Sequence, residues 1–136
     1  GSGLFDMLQA NRVGMQTVLA TDVGAGTSFS LLRTMGEAYK VQQLNGYPMS
    51  VFESLYKCTL GAAKALHLDD EIGCFGKGRK ADFIVIDYAV TPSQQVRMDY
   101  LKHHEKWTLE NKLFGLQTIG DDRNILATYI VGRRMK

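Results

Sequence analysis

The sequence predicts an α/β chain on three observations. A short apolar run, Val18-Leu19-Ala20, ends in Thr21-Asp22 and turns through Gly24-Ala25-Gly26 into a segment of helical period. A second run, Phe83-Ile84-Val85-Ile86, is apolar, largely β-branched and bounded by turn residues. Between them, apolar residues recur every three or four positions across 29–66. Apolar runs of strand length mark strands, recurrence at 3.6 marks helices, and the order strand, glycine loop, helix marks an α/β unit.

Taken in order, Leu4, Met7 and Leu8 predict a short helix over 4–11, stopped near Gly14. Residues 15–21 then form a strand, which places Asp22 at the carboxyl end of a buried strand, where α/β folds build their sites. Phe29, Leu32, Met35 and Tyr39 predict a helix over 29–44, ended by Gly46 and Pro48. Ser50-Val51-Phe52-Glu53 reads as a capping box: Ser50 accepts from the amide of Glu53, and the Glu53 carboxylate reaches back to the amide of Ser50. Phe52, Leu55, Tyr56, Thr59, Ala62, Ala63 and Leu66 carry that helix onward with a broad apolar face. After Leu68 the character changes, and Phe83-Ile84-Val85-Ile86 reads as a strand buried on both faces. Thr91-Pro92 suits a cap followed by proline at the first helical position, giving a short turn through Gln95 or Val96. Leu109, Leu113 and Leu116 mark a helix ending near Gly120. Ile125, Ala127, Tyr129 and Val131 alternate before Gly132, as in a hairpin or edge strand. The order is helix, strand, two helices, then a β-rich tail.

With 136 residues, 45% of them hydrophobic, the chain has the length of one ordinary domain and enough apolar surface for a core. Its net charge of +2 comes from 16 basic and 14 acidic residues scattered along the sequence, a distribution that argues against nucleic acid or a membrane surface as partner. No apolar stretch approaches the roughly 18 residues of a membrane span, and the start GSGLFDMLQ has no basic region followed by an apolar one. A soluble, cytoplasmic protein is expected. Cys58 and Cys74 have neither the number nor the spacing of a disulfide framework or zinc knuckle and read as reduced thiols.

Few residues carry chemistry, and most have a structural explanation. The Gly24-Ala25-Gly26 loop before a helix resembles an anion cradle, but it lacks the lysine of a P-loop and the third glycine of a dinucleotide fingerprint, so it reads as a tight turn. His103-His104 reads as a solvated surface pair, since neighbouring side chains diverge and no further ligand flanks them. His67, followed by Asp69 and Asp70, fits a cation at a helix end. Asp121-Asp122-Arg123 reads as a turn stapled by an ion pair rather than a catalytic carboxylate pair. Asp22 remains. On pattern alone it either serves a site or orders its loop.

The stretch TDVGAGTSFSLLRTMGEAYKVQQLNGYPMSVFESLYKCTLGAAKALHLDDEIGCFGKGRKADFIVID resembles the C-terminal part of the guanine deaminase family, within the metal-dependent amidohydrolase superfamily. So does the ending, TPSQQVRMDYL…NKLFGLQTIGDDRNILATYIVGRRM, and the likeness extends to the start GSGLFD, which looks native. Residues 63–85 carry the superfamily hallmark, with Arg79 where a small or polar residue also serves, while TDVGAG and LFGLQTIGDDRNI point more narrowly. The resemblance implies a (β/α)8 TIM-type barrel flanked by a small β-sandwich assembled from both ends of the polypeptide. Residues 1–75 would hold the last strand and C-terminal helices of the barrel, with 15–21 as its eighth strand. Residues 76–136 would hold the C-terminal part of the composite sandwich, with a helical insertion.

Asp22 matches the family's metal-binding aspartate. In such deaminases the carboxylate ligates one zinc ion and takes the proton from the metal-bound water, producing the hydroxide that attacks the purine. The implied reaction converts guanine, the small-molecule substrate, to xanthine and ammonia, and the full-length form is expected to be a homodimer. The family's HxH pair, two further histidines and proton-shuttling glutamate are absent, so the resemblance implies the end of a chain about three times longer, inactive by itself. The H-x-E and P-C-x-x-C signature of cytidine-type deaminases is absent as well. Other readings are a related amidohydrolase acting on another amino-heterocycle, a phosphate or small-molecule module built on the glycine loop, and a non-catalytic binding or oligomerisation fragment.

Overall fold

The computed structural model describes residues 3–135. Asp6 caps the first helix, α1 (Met7–Arg12), by accepting from the amide of Gln9. Two buried residues, Met7 and Ala10, fasten α1 to the rest. Residues 15–20 then carry no helix, strand or turn, and burial alternates over 17–21 as in an extended chain. A tight loop leads to α2 (Leu31–Leu44), followed by α3 (Val51–Cys58) and α4 (Leu60–Ala65). The second half holds β1 (Phe83–Ile86), α5 (Pro92–His103), α6 (Leu109–Ile119), a 3-10 turn at Asp122–Asn124, β2 (Ile125–Ile130) and β3 (Arg133–Arg134). Among the described residues, no helix is long and apolar enough to cross a membrane.

Leu32 and Met35 of α2, Val51 of α3 and Leu116 of α6 form the central cluster, with Leu19, Leu55, Ile86, Tyr88 and Leu113 packed around it. The α2–α6 crossing is close because position 36 is glycine: a Cβ there would lie 2.5 Å from the carbonyl oxygen of Gln117. The three strands form an antiparallel sheet in the order β1-β2-β3. Phe83 lies opposite Tyr129, and their rings stack at 4.4 Å, a cross-strand contact that fixes the register. Val131 and Gly132, both at positive φ, make the two-residue turn between β2 and β3. Asp82 accepts from the Val131 amide and Ala81 from the Gly132 amide, which secures that turn against the entry to β1.

Several expectations need correction. Residues 15–21 form no strand, because a strand needs a ladder and their amides make only isolated bonds, Met15 to the carbonyl of Ala10 and Leu19 to that of Lys57 on α3. β1 is not buried on both faces. Ile84 and Val85 are 46% and 40% exposed, since no second layer covers them among the described residues. The helix expected over 51–66 breaks at Thr59, whose hydroxyl donates to the Leu55 carbonyl and whose backbone leaves the helical region. Its buried residues are Val51, Ser54 and Lys57, then Gly61 and the expected Ala63, while Phe52, Tyr56 and Leu66 lie exposed. The capping box is half formed. Ser50 accepts from the Glu53 amide at 3.1 Å, but the Glu53 carboxylate takes both its oxygens to the Tyr47 hydroxyl at 3.0 Å. The short turn after Thr91-Pro92 is a 12-residue helix reaching His103. Phe29 precedes α2 and stands exposed, as does Leu4 before α1.

Candidate functional site

The extended segment presents alternate sides. Thr17, Leu19 and Thr21 are half-buried, whereas Val18, Ala20 and Asp22 are exposed. Asp22 then takes the left-handed conformation, φ +48°, which aspartate tolerates better than most residues. Its carbonyl accepts from the amides of Ala25 at 3.0 Å and Gly26 at 2.5 Å, closing a turn over 22–26. Gly24 sits at φ +117°, open to glycine and strained for other residues. At Gly26 a Cβ would fall 1.7 Å from the Thr21 carbonyl oxygen, so only glycine allows the turn to close against the end of the extended segment.

This turn removes the anion-cradle reading. Cradling needs free amides pointing at the ligand, and those of Ala25 and Gly26 are already committed to the Asp22 carbonyl. The Asp22 side chain, by contrast, is exposed and engages no donor among the described residues, which leaves its oxygens free for a cation or a proton. That chemistry fits one oxygen ligand of a zinc site. It fits only one: no group of three or more His, Cys, Asp or Glu among the described residues could hold a metal ion.

The other candidates are committed elsewhere. Asp121 is buried and accepts from the Arg123 guanidinium at 2.7–3.2 Å and from the Arg123 amide at 3.0 Å, with Arg33 at 3.5 Å. Hydrogen bonding from Arg123 outweighs the desolvation and holds the Asp121 carboxyl down to about 2. The expected ion-pair turn is therefore present, and it closes as a capping box with the Asn124 side chain on the Asp121 amide. His103 and His104 are exposed, although their rings meet edge to face at 5.1 Å instead of diverging. His67 ends α4 in the left-handed region, exposed. Burial pushes the Cys58 thiol up to about 11, far from a reactive thiolate, and both cysteines are free.

Lys57 and Thr17 are the pair that pattern reading missed. Lys57 is 8% exposed and donates to the Thr17 hydroxyl at 2.7 Å, while its carbonyl accepts from Leu19. The sequence carried a partial signal, since Glu53 and Lys57 stand four apart on one helix, a spacing that ordinarily marks a solvated ion pair.

The sequence matches the amidohydrolase family over residues 1–135. It is 48% identical over 133 residues to a guanine deaminase of Escherichia coli (strain K12), an alignment that covers 98% of this chain and 29% of that protein. The solved structure of E. coli guanine deaminase superposes with a TM-score of 0.91 at 47% identity, over 100% of this chain and 31% of the other. A guanine deaminase from C. acetobutylicum, solved with guanine bound in its active site, superposes with a TM-score of 0.72 at 26% identity, over 98% and 30%. The chain spans about three-tenths of the length of these relatives.

Proposed function

The chain belongs to the amidohydrolase family, and from that premise we propose that it is the C-terminal part of a hydrolase that deaminates guanine to xanthine and ammonia. The likeness to guanine deaminase across 98% of the chain carries this reading. Residues 1–75 contribute the last strand and C-terminal helices of a (β/α)8 barrel, and 76–136 contribute to a small β-sandwich. The alternation of half-buried and exposed residues over 17–21 supports the assignment of 15–21 as the eighth barrel strand, since it is the pattern of a strand that awaits neighbours.

Asp22 would provide one carboxylate to a zinc whose remaining ligands lie outside this chain. A bound zinc supplies Lewis acidity that brings the pKa of water toward about 7. Asp22 would accept the proton of the attacking water at its carboxylate oxygen, for which no side chain among the described residues competes. The turn over 22–26 holds the backbone beneath that carboxylate through the bonds from Ala25 and Gly26.

The test is Asp22→Asn in the complete enzyme. Xanthine formation should fall by at least about a hundredfold, because general acid–base catalysis alone contributes that much, with the helical content of wild type retained. Zinc content should fall with it. Turnover within about tenfold of wild type would remove Asp22 from the chemistry.

A further inference from the structure

We infer that Lys57 is a positioning residue for Asp22, clamping the segment that carries it through the paired contacts to Thr17 and Leu19. The inference rests on the reading of Asp22 given above. Lys57 lies on the buried face of α3 with Val51 and Ser54. An ammonium group there is strongly unfavourable without partners. Its Nζ donates to Thr17 Oγ1 at 2.7 Å and reaches the Thr17 carbonyl at 3.5 Å, with Glu53 Oε1 at 3.8 Å.

Each partner is itself held. The Thr17 hydroxyl donates onward to the sulfur of Met7, which is 2% exposed. Glu53 accepts from the Tyr47 hydroxyl, and Tyr47 accepts from the side-chain amide of Asn11. Lys57 therefore joins α1, α3 and the extended segment through one connected chain of polar contacts.

The main chain supplies the second point of attachment, with the Lys57 carbonyl accepting from the Leu19 amide at 3.1 Å. Residues two apart in an extended chain face the same side, so bonds to 17 and 19 from one residue fix both the position of the segment along α3 and its rotation. A slip of one residue would turn the opposite side toward the helix. Asp22 comes three residues later, in a turn closed by its own carbonyl, and its side chain engages no donor among the described residues. The place of its carboxylate is thus inherited from the clamp at 17 and 19.

Two substitutions at Thr17 separate the hydroxyl from the side-chain volume. In the complete enzyme, Thr17→Val should lower kcat roughly ten- to a hundredfold, the scale expected when a catalytic group shifts by about an ångström. KM should stay within about twofold, the split expected when a group is displaced for the chemical step and substrate binding is not altered. Thr17→Ser keeps the acceptor and should retain kcat within about threefold. Lys57→Met should match Thr17→Val, and in both variants the Leu19 amide should exchange faster while that of Leu116 keeps its protection. If Thr17→Val and Lys57→Met turn over like wild type while Asp22→Asn is dead, the clamp does not position the carboxylate and the inference fails alone. It fails equally if Leu19 exchange accelerates with kcat unchanged. An active Asp22→Asn enzyme overturns the underlying reading instead.

Discussion

At Gly26 there is room for a hydrogen and nothing larger, and the consequence reaches the carboxylate four residues earlier. A Cβ would meet the Thr21 carbonyl oxygen, and relief would require opening the turn whose two bonds converge on the Asp22 carbonyl. Gly26→Ala should therefore cost about 1–3 kcal/mol of local stability and abolish most turnover in the complete enzyme, with Leu19 exchange unchanged because the clamp lies upstream. Retained activity at unchanged melting would show that the turn does not orient Asp22. Asp121 gives the second test at this scale. Its carboxyl is held down to about 2 against an ordinary 3.8, chiefly by the Arg123 hydrogen bonds. A depressed carboxyl contributes stability that is present above the ordinary pKa and is lost as pH falls through the folded one. The melting temperature of the wild type should thus fall more steeply than that of Asp121→Asn between about pH 4 and pH 2. Parallel curves would mean that the Asp121–Arg123 pair contributes nothing to the pH dependence.

Helix starts are legible in the sequence because a cap is local. Ser50 sits before α3 and accepts from the Glu53 amide as expected, so Ser50→Ala should cost on the order of 1 kcal/mol in melting experiments while leaving kcat unaltered. The reciprocal bond is not legible, because Tyr47, six residues before Glu53, offers its carboxylate a competing donor. The same limit explains α5. Its pattern is too weak to show a helix beyond Gln95 or Val96 because burial does not follow hydrophobicity there: Val96 is 70% exposed and Gln94 only 2%. Gln94 is buried because it bonds to Val90, Ile119 and Asn124 at once, closing ends of chain that a local pattern cannot relate. The buried face of α3 departs from the apolar pattern for a similar reason. Lys57 points inward to meet Thr17, and that rotates Phe52 and Tyr56 toward the outside. Asp22 itself stands out as an acid closing an apolar run, but the proposal that it binds a metal comes from the family resemblance, since no group of ligands accompanies it among the described residues.

At the scale of the whole molecule, the apolar surface is more than the visible core uses. Phe29, Leu44 and Phe75 are 84%, 76% and 88% exposed, and Leu4, Phe5, Met15, Val18 and Val41 line an open groove of about 460 Å³. β1 lies at one edge of the sheet with Ile84 and Val85 exposed, leaving a row of backbone groups available for pairing. Surface of this kind on an isolated chain drives association, because burying it is favourable and nothing among the described residues covers it. Residues 1–136 expressed alone should therefore sediment as oligomers or aggregates. They should also hydrolyse no guanine, for a chemical reason independent of folding: a catalytic zinc takes three protein ligands in the usual sites, and the turn at Asp22 offers one. Sedimentation velocity and a xanthine assay on the same preparation address the two arguments separately. A strict monomer protected from amide exchange throughout residues 18–66 would show that the exposed faces need no partner, and measurable guanine hydrolysis would show that the missing ligands are not needed. Either result would overturn the reading of this chain as one part of a larger barrel.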